Sequence, residues 1–181
     1  MDGPRVFRML AGYNRWMNER LYSLCAGLSD EERKRDRKAF FRSIHGSLNH
    51  VLLADRSWLG RFTGTEFRIG SLDQELYADF EDLRRERAVT DAAIEEFCTD
   101  LDEARLAATI EYGTLAGKRY GHPLEPALVH FFNHQTHHRG QVTTLLSQLG
   151  IDPGATDVIA YYRQMGPDGF SPRGRARACA R

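Results

Sequence analysis

Four of the seven histidines fall within nine residues, at positions His130, His134, His137 and His138. Residues four apart share one face of an α-helix, so a helix through this segment presents the imidazoles of His134 and His138 to a single divalent metal ion. Extending that row to His130 spans roughly 12 Å at about 1.5 Å per residue, so one of the two outer histidines is left out. His137 points about 100° away from His138 and cannot share the site. The alternative is a histidine-rich surface helix, which the spacing alone leaves open.

Two imidazoles rarely hold a divalent ion tightly, and catalytic zinc-type sites commonly combine three protein ligands with an open or water-filled position. A third ligand must therefore come from another element, and the candidates are His45, His50 and His122. His122 precedes the last long helix, whereas His45 and His50 lie on a predicted helix that can run beside it. His50 lies off the apolar stripe of its helix among small residues, which fits either a pocket or a solvent-exposed position. A protease of the His-Glu-x-x-His type is excluded, because Gln135 occupies the position where that enzyme needs a carboxylate base.

Apolar side chains recur three or four residues apart in four long segments, which predicts four helices. The predicted helices run from about Arg5 to Leu28, from about Phe41 to Phe62, from about Leu72 to Leu101, and from Pro123 to Leu149. The charge run over residues 29–38 predicts a solvated connection or a short exposed helix. Residues 106–120 predict two short strands around a glycine-bounded turn, and residues 157–165 predict a short closing helix. Together these elements indicate an all-α protein, a four-helix bundle with a small β-hairpin before the last long helix.

The composition limits the class of protein. The 25 basic and 25 acidic residues among 181 give a formal net charge of zero, so no overall field attracts the chain to nucleic acid or to anionic lipid. The apolar runs fall far short of the roughly 20 residues of a membrane helix, and the N-terminus lacks a signal pattern, which predicts a soluble cytoplasmic protein. The widely spaced Cys25, Cys98 and Cys179 fit neither a disulfide framework nor a thiolate zinc site, and we expect the first two to be core thiols. Residues 1–165 are expected to form one domain, and residues 166–181 a basic, disordered tail.

Three segments of the chain resemble the DinB/YfiT-like family in their residues and in their order. They are Tyr13-Asn14-Arg15-Trp16-Met17-Asn18 on the first helix, Leu48-Asn49-His50-Val51-Leu52-Leu53-Ala54-Asp55-Arg56-Ser57-Trp58-Leu59 on the second, and His134-Gln135-Thr136-His137-His138-Arg139-Gly140-Gln141 on the fourth. The resemblance covers roughly Val6 to Tyr162. It implies an up-down-down-up four-helix bundle, often dimeric, with one divalent ion held by three histidines. The family's ligands match His50, His134 and His138, so the resemblance selects His50 from the three candidates for the third ligand.

The resemblance also implies a type of chemistry. Well-understood relatives use the ion in thiol-dependent chemistry, which is a transfer or an isomerisation that involves a low-molecular-weight thiol such as mycothiol or bacillithiol. We therefore expect a metal-dependent thiol transferase or a metal-assisted hydrolase that acts on a small-molecule substrate, in association with a stress response and as a homodimer. Imidazole ligands suit zinc, nickel, copper and iron alike, and zinc or nickel is the ion we expect. The alternative is a non-catalytic metal-binding protein that acts by binding a partner during stress. A nucleic-acid-binding function ranks third, because the zero net charge and the absence of a recognised motif leave only the arginine-rich tail to support it. The family name refers to induction by DNA damage and implies no contact with DNA.

Several other side chains lie near the predicted ligands in sequence. Asp55 and Gln141 are candidates for orienting a ligand or the substrate. The asparagines Asn14 and Asn18, one turn apart on the first helix, are interpreted as an exposed or capping pair. Both tryptophans, Trp16 and Trp58, are interpreted as core anchors rather than as a platform for substrate. No general base is assigned.

Overall fold

The computed structural model describes residues 2–65 and 67–166 of the chain. Four long helices form a bundle, and they are α1 (Gly3–Ala26), α3 (Ile44–Thr63), α4 (Phe80–Thr99) and α6 (Leu124–Ser147). The shorter helices are α2 (Asp30–Lys34), α5 (Glu103–Ala107) and α7 (Val158–Met165). Strands β1 (Thr109–Gly113) and β2 (Arg119–Pro123) pair in antiparallel register immediately before α6. The predicted helical bundle with a hairpin before its last long helix is therefore confirmed.

Side-chain caps fix where three of the long helices begin. A side-chain oxygen of Asp2 accepts from a backbone N–H in the first turn of α1, and Asp79 does the same for α4. The Ser43 hydroxyl accepts from the backbone N–H of Gly46 at 2.9 Å and starts α3. These residues satisfy donors that have no partner within the helix. In contrast, α6 starts directly after Pro123, without a side-chain cap.

Contacts along the helices establish the up-down-down-up arrangement. Helix α1 is antiparallel to α4, because Tyr22 stacks on Phe80 near one end and Arg8 donates to the Leu101 carbonyl just beyond the other. Helices α3 and α6 are antiparallel, because His50 contacts His138 and Trp58 contacts His130. Helices α1 and α6 are parallel, because Phe7 contacts Phe132 and Asn14 contacts Arg139. Helices α3 and α4 are also parallel, because Asp55 contacts Arg87 and Phe62 contacts Phe97. Each long helix therefore has one parallel and one antiparallel neighbour.

A layer of buried polar side chains separates two apolar clusters inside the bundle. This polar layer consists of Asn14, Asn18, Asp55, Arg87, Asp91, Gln135 and Arg139, contributed by all four long helices. The Arg87 guanidinium donates to Asp55 at 2.6 Å and lies 2.9 Å from Asp91. The amides of Asn14 and Asn18 both donate to Asp91 at 2.9 Å. The interpretation of these asparagines as exposed or capping residues is therefore wrong, since they are buried partners of a carboxylate.

The third long helix begins at Phe80, eight residues after the predicted start at Leu72. The Asn49 side-chain oxygen accepts from the backbone N–H groups of Leu76 and Tyr77, at 2.9 and 3.0 Å. These bonds hold the segment against α3 in a non-helical conformation, although Leu76 still packs against the core. The apolar spacing that predicted a longer helix therefore comes from a packed loop.

The remaining predictions for the elements agree with the structure. The charge run contains the short helix α2, and α7 closes the fold. Cys25 and Cys98 are fully buried thiols, as expected. Apart from Gly166, the predicted basic tail lies outside the described residues. Within residues 2–65 and 67–166, no helix has the length and apolar character needed to cross a lipid bilayer.

Candidate metal centre

Helices α3 and α6 bring the three predicted histidines together near the middle of the bundle. His50 comes from α3, and His134 and His138 come from successive turns of α6. One ring nitrogen of each histidine lies within 4.8 Å of the other two. In the part of the chain that the structure describes, this is the single cluster of three or more histidine, cysteine, aspartate or glutamate side chains with metal-binding geometry. Of the two positions left open for His50, the buried one is observed, with 4% of the residue exposed.

The two histidines of α6 already have the spacing of ligands to one ion. Their Nε2 atoms lie 3.1 Å apart. Zinc–nitrogen bonds of about 2.0–2.1 Å at a tetrahedral angle place two ligand nitrogens roughly 3.3 Å apart. The backbone of α6 therefore needs little adjustment for both imidazoles to contact the same metal ion.

Two of the three imidazoles donate through Nδ1 to an oxygen acceptor, and these bonds direct the Nε2 atoms towards the centre of the histidine cluster. The Nδ1–H of His50 donates to the backbone carbonyl of Leu72 at 2.7 Å. The Nδ1–H of His138 donates to Oε1 of Gln141 at 2.9 Å, and Gln141 in turn donates its amide to His137 at 3.2 Å. A neutral imidazole that donates through Nδ1 keeps the lone pair on Nε2 free for a metal. The expectation that Gln141 orients a ligand is thus consistent with its position.

Burial keeps these imidazoles neutral. It lowers the pKa of His50 to about 4, although the bond to Leu72 acts in the opposite direction. Burial, together with the neighbouring histidines, lowers the pKa of His134 to about 3. It also lowers the pKa of His138, against a smaller raising effect of the bond to Gln141. At neutral pH all three rings are in the deprotonated form that binds metals.

A cavity of about 640 Å³ opens in front of the three histidines. Its wall is mostly apolar and includes Phe41, Leu53, Leu72 and Leu115. None of the described residues that line it is an aspartate or a glutamate. The volume lies within the range of about 300–1,000 Å³ that is typical of small-molecule sites.

The other four histidines take no part in the cluster. His45 is buried, and its Nε2 atom contacts the Tyr77 carbonyl at 2.9 Å. His122 lies in the hairpin, 3.1 Å from the Tyr112 hydroxyl. His130 and His137 are exposed on α6 and line the cavity beside the cluster. The exclusion of His137 by helical geometry, and that of His130 by the family resemblance, therefore agree with the structure.

The surroundings of the cluster differ from the sequence-based expectation at three residues. Phe41 precedes α3 and stacks on the His50 ring with 3.7 Å between centroids. Asp55 bonds to Arg87 in the polar layer instead of to a candidate ligand. Trp58 packs partly against the core, as expected, but it also lines the cavity. The aromatic pair Phe40-Phe41, shortly before α3, was a signal for a ring over His50. The role of the Leu72 carbonyl has no side-chain signal, because every residue type has a carbonyl.

Comparisons with known proteins agree on the family and the fold of this chain. The model of the DinB family matches residues 5–169. Protein DinB of Bacillus subtilis (strain 168) is 24% identical over 153 residues, which cover 82% of this chain and 89% of that protein. The crystal structure of a DinB-like protein from Bacillus cereus ATCC 10987 superposes with a TM-score of 0.54 at 21% identity, covering 77% of this chain and 90% of that one. The resemblance to the DinB/YfiT-like family is thereby confirmed, and the chain belongs to the DinB family.

Proposed function

We propose that this chain is a metal-dependent enzyme in which His50, His134 and His138 hold one divalent ion at the floor of the substrate cavity. The observation that carries the proposal is the number of ligands. Three nitrogens converge within 4.8 Å, and no fourth histidine, cysteine or carboxylate joins them among the described residues. Structural zinc sites are closed by four protein ligands, whereas catalytic sites use three and leave a position for water or substrate.

The residues around the cluster prepare it for chemistry on a small molecule. A divalent ion bound by three neutral histidines would lower the pKa of a coordinated thiol or water towards neutral pH. The Leu72 carbonyl and Gln141 hold two of the imidazoles in orientation. Phe41 covers one ring, and the apolar wall limits the access of water to the reacting groups. A low local dielectric strengthens the electrostatic interactions inside such a cavity.

Thiol-dependent group transfer is the reaction class that we favour, with metal-assisted hydrolysis as the second possibility within the same site. The substrate is a small molecule, and the co-substrate of a transfer is a low-molecular-weight thiol. All-nitrogen ligation suits zinc or nickel better than magnesium or calcium, which prefer oxygen. An association with a stress response belongs to the same proposal and rests on family membership alone.

Metal content provides the first test. Protein purified without an affinity tag and reconstituted with zinc or nickel is expected to hold about one equivalent by elemental analysis. His50→Ala and His134→Ala are each expected to lose it, because two histidines seldom retain a divalent ion. His130→Ala is the matched control, since His130 is exposed one turn from His134 on the same helix. A parent protein that stays metal-free after reconstitution would contradict the proposal.

A non-catalytic metal-binding role is the competing function. X-ray absorption of the zinc-loaded protein distinguishes the two, because a closed structural site has four protein ligands. We expect three histidine ligands and one exchangeable oxygen or sulfur ligand that is replaced when a thiol is added. Four protein ligands, unchanged by added thiol, would favour the non-catalytic alternative.

A further inference from the structure

Arg61 places a positive charge at the edge of the same cavity. It lies on the face of α3 that also carries His50, Ala54 and Ser57, all of which line the cavity. Its guanidinium carbon is 4.4 Å from the centroid of the Trp58 ring and 4.8 Å from that of Tyr112. Two aromatic rings, one from α3 and one from β1, therefore hold the guanidinium in place.

Within the described residues, the Arg61 guanidinium has no carboxylate within 4.0 Å. This distinguishes it from two other arginines of the bundle, since Arg56 pairs with Glu86 and Arg87 pairs with Asp55. Burial lowers the pKa of Arg61, against a raising effect of Tyr112. Burial lowers the pKa of His130, and the positive charge of Arg61 lowers it further. Arg61 is thus a half-buried cation that has no counter-ion among the described residues, and its field extends along the cavity.

A single small molecule can contact both Arg61 and the histidine cluster. The guanidinium packs on Trp58, the Trp58 ring lies 5.0 Å from the His130 ring, and His130 lies 5.8 Å from His134. The cavity joins these groups without an acidic side chain in its described wall. Such a surface repels no anion, attracts no cation, and offers apolar contacts between its two polar ends.

We propose that the substrate has an apolar body and an anionic oxyacid group, and that Arg61 binds this anion while the reacting group lies at the three histidines. Arg61 is then a specificity-determining residue. A guanidinium presents two parallel N–H donors to a carboxylate or phosphate-type group, which gives direction as well as charge. The term substrate rests on the proposed function, whereas the anion site itself is independent of metal binding.

Three probes with one phenylalkyl body test this assignment: 4-phenylbutyrate, 3-phenylpropylphosphonate and the uncharged 4-phenylbutanamide. Each is titrated by calorimetry into chelator-treated, full-length protein, so that no probe gains affinity from a metal ion. We expect at least one anion to bind about tenfold or more tightly than the amide, which is the usual gain from a charge-assisted hydrogen bond. The better of the two anions identifies the oxyacid as a carboxylate or as a phosphate-type group.

Two variants assign the effect to Arg61. Arg61→Gln is expected to abolish the preference for the anion while leaving the affinity for the amide unchanged. Arg56→Gln, which removes an arginine from the same helix outside the cavity, is expected to keep the preference. A circular dichroism spectrum and a urea-denaturation midpoint like those of the parent show that the fold of Arg61→Gln is intact.

The outcomes separate this inference from the metal proposal. Equal affinity of the parent protein for anions and amide, including no binding at all, would overturn the anion site. A preference that survives in Arg61→Gln would overturn it as well. If the preference depends on Arg61 but the parent binds no zinc or nickel, the metal proposal fails and Arg61 remains a ligand-binding residue.

Discussion

Replacing Arg87 with methionine is expected to be among the most damaging single substitutions in the bundle. Arg87 is the cation between Asp55 and Asp91 in the polar layer, and the three side chains are at most 3% exposed. Methionine fills a similar volume, but it leaves two buried carboxylates without their shared partner. Arg139 remains as the other cation of this layer and contacts Asn14 rather than either carboxylate directly.

The expected loss in the free energy of unfolding follows from the cost of an uncompensated buried charge. Breaking a buried ion pair by removing one partner typically costs about 3–5 kcal/mol. Against a total stability of about 5–15 kcal/mol, this is a large fraction of what holds the chain folded. For a chain of this length, each kcal/mol lowers the melting temperature by roughly 2–4 °C, so we expect a decrease on the order of 10 °C.

The loss is expected to depend on pH in a defined direction. Burial raises the pKa of Asp91 to about 6 and also raises that of Asp55, while Arg87 lowers both. Without Arg87, both values rise further in the folded state, so the folded variant binds protons that the unfolded chain releases. Stability therefore falls as pH rises through this window. The difference between the variant and the parent should be larger at pH 7.5 than at pH 5.5.

Urea denaturation monitored by circular dichroism at the two pH values measures this prediction. Arg85→Met is the control, because Arg85 lies on the same helix and pairs with Asp82 in solvent; its effect is expected to be far smaller. Adding Asp55→Asn to Arg87→Met should recover part of the loss, since the second substitution removes one stranded charge. If Arg87→Met costs no more stability than Arg85→Met, the polar layer does not contain two ionised carboxylates that depend on Arg87.

The remaining predictions concern the metal centre and two helical glycines. Gln141→Leu removes the acceptor of the His138 Nδ1–H and should weaken zinc binding about ten- to hundredfold in competition with a chromophoric chelator; a change below twofold would refute an orienting role. Gly140→Ala meets no atom within 4 Å and should stabilise the fold by about 0.5–1 kcal/mol in urea denaturation. Gly12→Ala should do the opposite, because its new methyl group overlaps the Tyr161 hydroxyl. Equal effects at the two glycines would contradict the packing of α7 on α1.

Local periodicity was sufficient to place the four long helices and the hairpin, because the positions that face the core repeat within each segment. It failed where a partner comes from a distant segment. Leu76 has helical spacing but packs from a loop that Asn49 holds. Asn14 and Asn18 are polar and look exposed, yet Asp91 on another helix accepts from both.

The candidate site was likewise predictable where it depends on local spacing, and not where it depends on contacts between distant segments. The four-residue spacing of His134 and His138 is a local property of one helix, so the pair is readable from the sequence. His50 was one of three candidates until the resemblance selected it, because its position opposite α6 depends on how two helices pack. The Leu72 carbonyl was not predictable, since every residue type has one. The homodimer that the resemblance implies stays a prediction.

The connection between α3 and α4, residues 64–79, has a consequence for how this bundle can diversify. Its Leu72 carbonyl accepts from the His50 imidazole, and Leu72 and Ile69 line the cavity in front of the three histidines. One surface connection thus controls both the orientation of the His50 imidazole and the shape of the cavity beside it. Loops tolerate insertions and deletions far better than packed helices do. Chains with the same helices and the same three histidines can therefore differ in the shape of this cavity through changes in this single connection, with the candidate metal ligands unchanged.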